Sequence, residues 1–178
     1  MQGLLRSDRM SGDFWEVMQP ELGWMHVQIR RLGVHDADLE DVAQEACLRI
    51  AQRWAERDPA RHVRPWILAF LVRLCSDYRK RSRNRRLHYS LEESRTAGEG
   101  DPEQKVRAVE ARELLLCALH SLPDDYQEIL VLVVLNELAV TEAAEMLGLP
   151  LNTAYTRLRR AKLELAAAVR RLTLKGQP

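Results

Sequence analysis

LPDDYQEILVLVVLNELAVTEAAEMLGLPLNTAYTRLRRAKLELAAAVRR, residues 122–171, is the stretch whose reading decides the fold. It opens on Leu122-Pro123-Asp124-Asp125. Proline suits the first helical turn, where its missing N–H costs nothing, and the two aspartates favour the positive end of a helix dipole. An apolar run fills residues 126–135, and a second helical pattern covers about 139–147. Gly148-Leu149-Pro150 breaks it, because glycine allows a left-handed turn and proline cannot continue the hydrogen-bond ladder. A third pattern starts near Leu151 and passes Ala168. Two helices joined by a tight glycine turn, the second carrying Thr153, Tyr155, Thr156, Arg157, Arg159, Arg160 and Lys162, read as a helix-turn-helix.

The second helix can be oriented by its spacing. Leu151, Ala154, Leu158, Ala161 and Leu165 recur at steps of three and four and form one apolar face. Thr153, Thr156, Arg157, Arg160 and Lys162 lie off it, and hydroxyls with guanidinium groups suit phosphates and base edges. The same residues also fit an ordinary solvated face. DNA is preferred because the tight turn coincides with a basic half in which Glu164 is the only acid between residues 151 and 175.

The whole chain has 178 residues and a formal net charge of +1, with 27 basic and 26 acidic side chains. That balance excludes a generic polyanion binder, so any nucleic-acid surface must be local and the acidic surface must serve something else. Cys47, Cys75 and Cys117 show no metal spacing and each sits in an apolar helical pattern, which predicts buried, reduced thiols in a cytoplasmic protein. No run approaches the ~18 apolar residues of a membrane span, and residues 1–12 read as a disordered N-terminus without a signal peptide.

Residues 13–32 read as one helix, or two broken at Pro20, closed by Gly33. Residues 36–54 form the next, capped by Asp36 or Asp38 and buried along Leu39, Val42, Ala43, Ala46, Cys47 and Ile50. Asp41, Gln44, Glu45 and Leu48 share a more polar face, which also fits a plain solvated surface. A loop at 56–64 precedes a helix starting at Pro65-Trp66, with Ile67, Phe70, Leu71, Leu74 and Tyr78 at helical steps. That helix ends in Arg79-Lys80-Arg81-Ser82-Arg83-Asn84-Arg85-Arg86, in which six of eight residues are basic. With His62, Trp66, Tyr78 and Tyr89 nearby, this pattern suits single-stranded nucleic acid, which needs neutralised phosphates and stacked bases. Residues 89–103 read as a mobile linker. The helix beyond it packs Val106, Val109, Leu114, Leu115, Ala118 and Leu119 on the helix-turn-helix. The expected class is all-α, with two small helical domains (13–88 and 104–174) joined by that flexible linker.

Three segments then resemble the extracytoplasmic-function group of bacterial sigma factors. Asp38-Leu39-Glu40-Asp41-Val42-Ala43-Gln44-Glu45-Ala46 looks like the family's polymerase-binding helix. Trp66 through Arg79, with Asp77-Tyr78-Arg79-Lys80, looks like its promoter-melting helix. Leu122-Pro123, Ala143-Ala144-Glu145-Met146-Leu147-Gly148, Thr153 and Arg157-Leu158-Arg159-Arg160-Ala161-Lys162 look like its C-terminal helix-turn-helix.

The resemblance implies that residues 13–88 are a region 2-like domain and residues 104–174 a region 4-like domain. Asp38, Glu40, Asp41, Gln44, Glu45 and Leu48 would face the clamp of core RNA polymerase, with the flap as a further contact of the chain. The 57–64 loop would hold an extruded base of the −10 element, with Arg61, His62, Arg64, Trp66, Arg73, Asp77, Arg79 and Lys80 along the strand. Thr153, Tyr155, Thr156, Arg157, Arg159, Arg160 and Lys162 would meet the −35 element. It implies no catalysis, cofactor or metal, no membrane insertion, a monomer when free or inhibited, and an anti-sigma factor as partner.

Several positions depart from the family's usual pattern. The loop reads Asp58-Pro59-Ala60-Arg61-His62 where glycine and serine are common, and Arg73 stands where asparagine is usual. Tyr155 replaces a lysine, Pro150 a small capping residue, and Ala139 an N-cap serine, the last costing about 1 kcal/mol locally. The competing expectation is a stand-alone dimeric helix-turn-helix regulator, in which the acidic 38–45 helix would be a dimer surface. An enzyme lacks support, for there is no Gly-rich phosphate loop, nucleophile elbow or metal-ligand spacing.

Overall fold

The computed structural model describes residues 13–86 and 102–175. The expectations for residues 1–12, for Tyr89 and for all but the last two residues of the linker lie outside them, as do those for the side chains of Val106 and Val109. The described residues are helical with no strand. In chain order come α1 (13–18), a 3-10 turn Gln19–Glu21, α2 Leu22–Arg31, a 3-10 turn Asp36–Asp38, α3 Leu39–Gln52, a 3-10 turn Trp54–Glu56, and α4 Val63–Arg86. Then follow α5 Pro102–His120, α6 Asp124–Leu130, a π-helical turn Val131–Leu135, α7 Val140–Leu147 and α8 Leu151–Lys175. The chain divides into two compact units, Met1–Ser82 and Arg83–Pro178.

In the first unit, α2 packs on α3. Met25, Ile29, Val42, Ala43, Ala46 and Ile50 are buried there, and so is a stripe of α4, which is Ile67, Leu68, Leu71, Val72, Leu74 and Cys75. Pro20 sits in the 3-10 turn that precedes α2, so the two-helix reading of residues 13–32 holds. Gly33, at φ 85°, closes α2: its N–H donates to the Arg30 carbonyl (3.0 Å) and the Val34 N–H to the Ile29 carbonyl (3.3 Å).

Neither expected aspartate caps α3 with its side chain. Asp36 instead binds the Arg30 guanidinium at 2.9 Å, and Asp38 accepts the Tyr78 hydroxyl at 2.6 Å. Helix α4 starts at Val63, two residues before the expected Pro65. The larger correction concerns Arg79, read from sequence as part of a solvent-facing basic tail. It is 6% exposed, and its Nη1 donates to the carbonyl of Leu32, the residue that ends α2. A guanidinium there satisfies an orphan carbonyl and opposes the negative end of the helix dipole.

In the second unit, α6 is enclosed. Residues 127–132 are all buried, so the helix has no solvent face over that span. Helix α8 packs against α5, α6 and α7. Ala154, Ala161 and Ala168, seven apart and 1% exposed or less, let neighbouring backbones approach it. Leu158 is buried with them, whereas Leu151 of the expected apolar face is 42% exposed. Leu115 is also exposed, and so is Cys117, against the expectation of a buried thiol.

Pro123 is the N-cap of α6 rather than its first residue, with extended backbone, and its carbonyl accepts the N–H groups of Tyr126 and Gln127 at 3.0 Å. After α6 the helix widens into the π turn, where the Asn136 side-chain amide donates to the Val131 carbonyl at 2.7 Å. Ala139 is the N-cap of α7. Alanine has no side-chain acceptor, so only half a capping box forms: Glu142 Oε2 accepts the Ala139 N–H at 2.9 Å. Gly148, at φ 64°, ends α7 with the same pair of bonds that ends α2.

Three stability outcomes follow. Arg79→Met leaves the Leu32 carbonyl buried without this donor and lowers unfolding stability by about 1–3 kcal/mol in urea titrations. Gly148→Ala costs about 1–2 kcal/mol from backbone strain alone, since an added Cβ would meet nothing within 4 Å. Tyr78→Phe costs on the order of 1 kcal/mol at neutral pH. Burial, and then the bond to Asp38, push the Tyr78 phenol above its usual value. Its stabilisation is therefore full below the unfolded value of about 10 and is lost as pH rises through the folded one. The gap between wild type and Tyr78→Phe should shrink above pH ~10 in unfolding curves.

Candidate nucleic-acid and partner interfaces

Helix α3 presents its acidic residues on an exposed face. Asp41, Gln44, Glu45 and Leu48 fall at i, i+3, i+4 and i+7 and so share one side. Asp41 and Gln44 are exposed, Glu45 is half-buried, and Leu48 is 65% exposed. Glu40 joins them through Gln44, whose Nε2 lies 3.4 Å from its carboxylate, while His26 Nε2 lies 3.1 Å away. Hydrogen bonds from His26 and then Gln44 hold the Glu40 carboxyl below the usual range. Glu45 is bridged by Arg49 at 2.5 Å. Such i,i+4 surface pairs are worth only a few tenths of a kcal/mol and yield readily to another partner. Asp38, the half-buried N-cap residue of α3, accepts the Tyr78 hydroxyl.

The loop before α4 is built on aromatic rings. Trp15, Phe14, Trp54, Trp66 and Phe70 form a row of edge-to-face contacts with centroids 4.8–5.8 Å apart. Trp66 is thus half-buried within a row, which the sequence reading missed because Trp54 lies across the loop from it. Arg57 stacks over Trp54 at 4.6 Å. Arg53 grips Glu56 with both Nε and Nη2, and Arg61 pairs with Asp58 at 3.5 Å. Arg64 binds Glu21 at 2.8 Å and lies 5.2 Å from the Trp24 ring. Asp58 Oδ1 accepts the Ala60 N–H at 3.0 Å, an Asx turn that shapes the loop where glycine and serine were expected. His62 is exposed. On α4, Arg73, Asp77 and Lys80 are exposed and share one face at i, i+4 and i+7, while Arg79 points inward.

On α8 the basic and hydroxyl residues separate into two stripes. At about 100° per residue, Thr153, Thr156, Arg157 and Arg160 lie on one side of the buried stripe, and Tyr155, Arg159 and Lys162 on the other. The first four, with Asn152 of α8 and Asp125 and Tyr126 of α6, line a groove of about 400 Å³. Thr156 Oγ1 donates to the Asn152 carbonyl at 2.9 Å, so its lone pairs remain for an incoming donor. Arg157 is the least exposed of the basic set, with Nε 3.5 Å from Asp125 Oδ2. Sequence reasoning missed Asn152 and Asp125, the latter taken only as a helix-dipole residue.

No helix of the described residues is long and apolar enough to cross a membrane. Residues 19–86 match the Sigma-70 region 2 family, and residues 112–165 match Sigma-70, region 4. The chain is 30% identical over 156 residues to the ECF RNA polymerase sigma factor SigW of Bacillus subtilis, covering 80% of this chain and 81% of that one. It is 27% identical over 146 residues to the RNA polymerase sigma factor CnrH of Cupriavidus metallidurans, covering 78% and 76%. Its fold is shared with the sigma factor RpoE in the complex with the anti-sigma factor NepR from Bartonella quintana: TM-score 0.68, 19% identity, 89% of this chain and 97% of that chain. It is shared also with CnrH bound to the cytosolic domain of CnrY: TM-score 0.59, 22% identity, 90% and 92%. These matches do not favour the stand-alone dimeric regulator. With both region families matched in order and a relative covered over four-fifths of its length, the chain belongs to the extracytoplasmic-function RNA polymerase sigma factors, which act in transcription initiation.

Proposed function

We propose that the exposed face of α3, formed by Glu40, Asp41, Gln44, Glu45 and Leu48, docks on the clamp of core RNA polymerase. Asp38 supports that face through Tyr78 rather than touching the partner. The 57–64 loop and the Arg73–Asp77–Lys80 side of α4 hold the −10 strand, with Arg61, His62 and Arg64 at the loop. The α8 groove reads the −35 element, and Tyr155, Arg159 and Lys162 follow the opposite phosphate wall. On this reading the working domains are 13–88 and 104–174, joined by a linker at 89–103, and the factor acts in the cytoplasm without chemistry of its own. The observation that carries it is the placement of an acidic face in one unit and a hydroxyl- and arginine-lined groove in the other, on a chain of this family.

An anti-sigma partner is part of the proposal, since two proteins of the same fold are solved as complexes, RpoE with the anti-sigma factor NepR and CnrH with the cytosolic domain of CnrY. A chain of net charge +1 binds promoter DNA weakly by itself. Two weak contacts gain avidity only when the polymerase fixes their spacing.

Addition of the factor to purified core polymerase should give promoter-dependent transcripts. Reversing charge at Asp41→Lys and Glu45→Lys should weaken association with core by about tenfold or more, about 1.4 kcal/mol, read by fluorescence titration. Arg160→Ala should leave core binding intact and weaken use of the upstream element. Unchanged core binding in the charge-reversed variant would refute the α3 assignment.

A further inference from the structure

The groove on α8 contains one group that does not suit a DNA surface. Asp125 projects from α6 into it, and a carboxylate repels phosphate. Its neighbour is Arg157, with Oδ2–Nε at 3.5 Å and side chains 46% and 22% exposed respectively. The arginine is thus the more sheltered partner, and the acid beside it is nearer to solvent.

Guanidinium geometry gives this contact a meaning. The group is planar, and its five N–H donors are arranged in a fixed fork. Nε lies 3.5 Å from Asp125 Oδ2, a charge contact rather than a short hydrogen bond, and with the carboxylate on that side the edge carrying the two terminal nitrogens is left for the groove. That edge is the one that matches O6 and N7 of guanine in the bidentate contact commonest in major-groove recognition. The carboxylate also offsets part of the local positive charge, which weakens Arg157 as a general phosphate binder. Arg160, on the same stripe and exposed, carries no such restraint in the groove lining.

We propose that Asp125 is a positioning residue for promoter choice: it orients the Arg157 guanidinium towards a base edge and keeps it off the phosphates. This rests on the reading of α8 as the −35 reader. Asp125 then contributes discrimination rather than affinity, and removing it should make the protein less selective without making it a poorer DNA binder.

The test uses full-length factor assembled with core polymerase, on a duplex promoter library randomised over the upstream element and selected first with the wild-type holoenzyme. Asp125→Ala should lower discrimination at one base pair by about tenfold, while binding to non-cognate duplex stays equal or rises. Asp125→Asn, which keeps an oxygen acceptor for Nε, should recover part of the discrimination. Arg157→Ala should relax the same base pair, and the double variant should relax it no further. The proposal is overturned if Asp125→Ala keeps wild-type discrimination, if it weakens all sequences equally, or if it relaxes a different base pair from Arg157→Ala. Should Arg157→Ala and Arg160→Ala both leave upstream selection untouched, the α8 reading itself fails, an outcome separate from failure at Asp125 alone.

Discussion

The first unit is organised by a charge buried where a hydrophobic residue would be the simpler choice. Arg79 crosses from α4 to the last turn of α2 and meets the Leu32 carbonyl. A helix must end somewhere, and its final carbonyls need donors or water. Here the donor arrives from a helix 47 positions further along the chain. That contact falls on the same side of α4 as its buried apolar stripe. With Arg79 turned inward, Arg73, Asp77 and Lys80 are turned outward on a common face. Tyr78, the next residue back, is brought to Asp38 at the entrance of α3. At the start of the basic tail, Arg79 is a structural anchor while Lys80 and Arg81 are exposed, a division made by the helical period.

The second unit solves a different problem. Its central helix is wrapped on every side over residues 127–132, and the helices around it approach through alanines. Close backbone packing needs few large side chains, which is how a chain with two Phe, four Trp and four Tyr builds two separate cores. It also leaves Thr153, Tyr155, Arg159, Arg160 and Lys162 of α8 exposed, while Arg157 is paired with Asp125 inside the unit. The glycine closures at Gly33 and Gly148 serve the two units alike, each stopping a helix where the next must begin.

The helical content, the glycine breaks, the order of the segments and the helix-turn-helix were legible because they follow from local spacing. A period of 3.6 assigns residues to faces of a single helix without knowledge of its neighbours. It does not say what stands opposite. Asp38 was read as a cap because caps are local, yet its partner is Tyr78, 40 residues away. Arg64 was read as a DNA contact and its partner Glu21, 43 residues away, was invisible. The division of the seven polar residues of α8 into two stripes follows from the helical period, but the groove that Asp125 and Tyr126 of α6 complete beside one of them does not. Leu151, in the first turn of α8, and Cys117, which faces outward although Ala118 and Leu119 beside it are buried, show that an apolar pattern does not reveal which of its members the neighbouring helices cover.

The three thiols differ in shelter, and that difference has an experimental use. Cys75 is enclosed, and Cys47 is half-covered, with burial and then Glu40 raising the pH at which it ionises. Cys117 is open to solvent on α5, an element to which none of the proposed contacts is assigned. Since thiolate fraction and access govern alkylation, brief maleimide treatment of the native protein would tag Cys117 ahead of the other two. A fluorophore placed there would report motion of the C-terminal unit during holoenzyme assembly without an engineered cysteine.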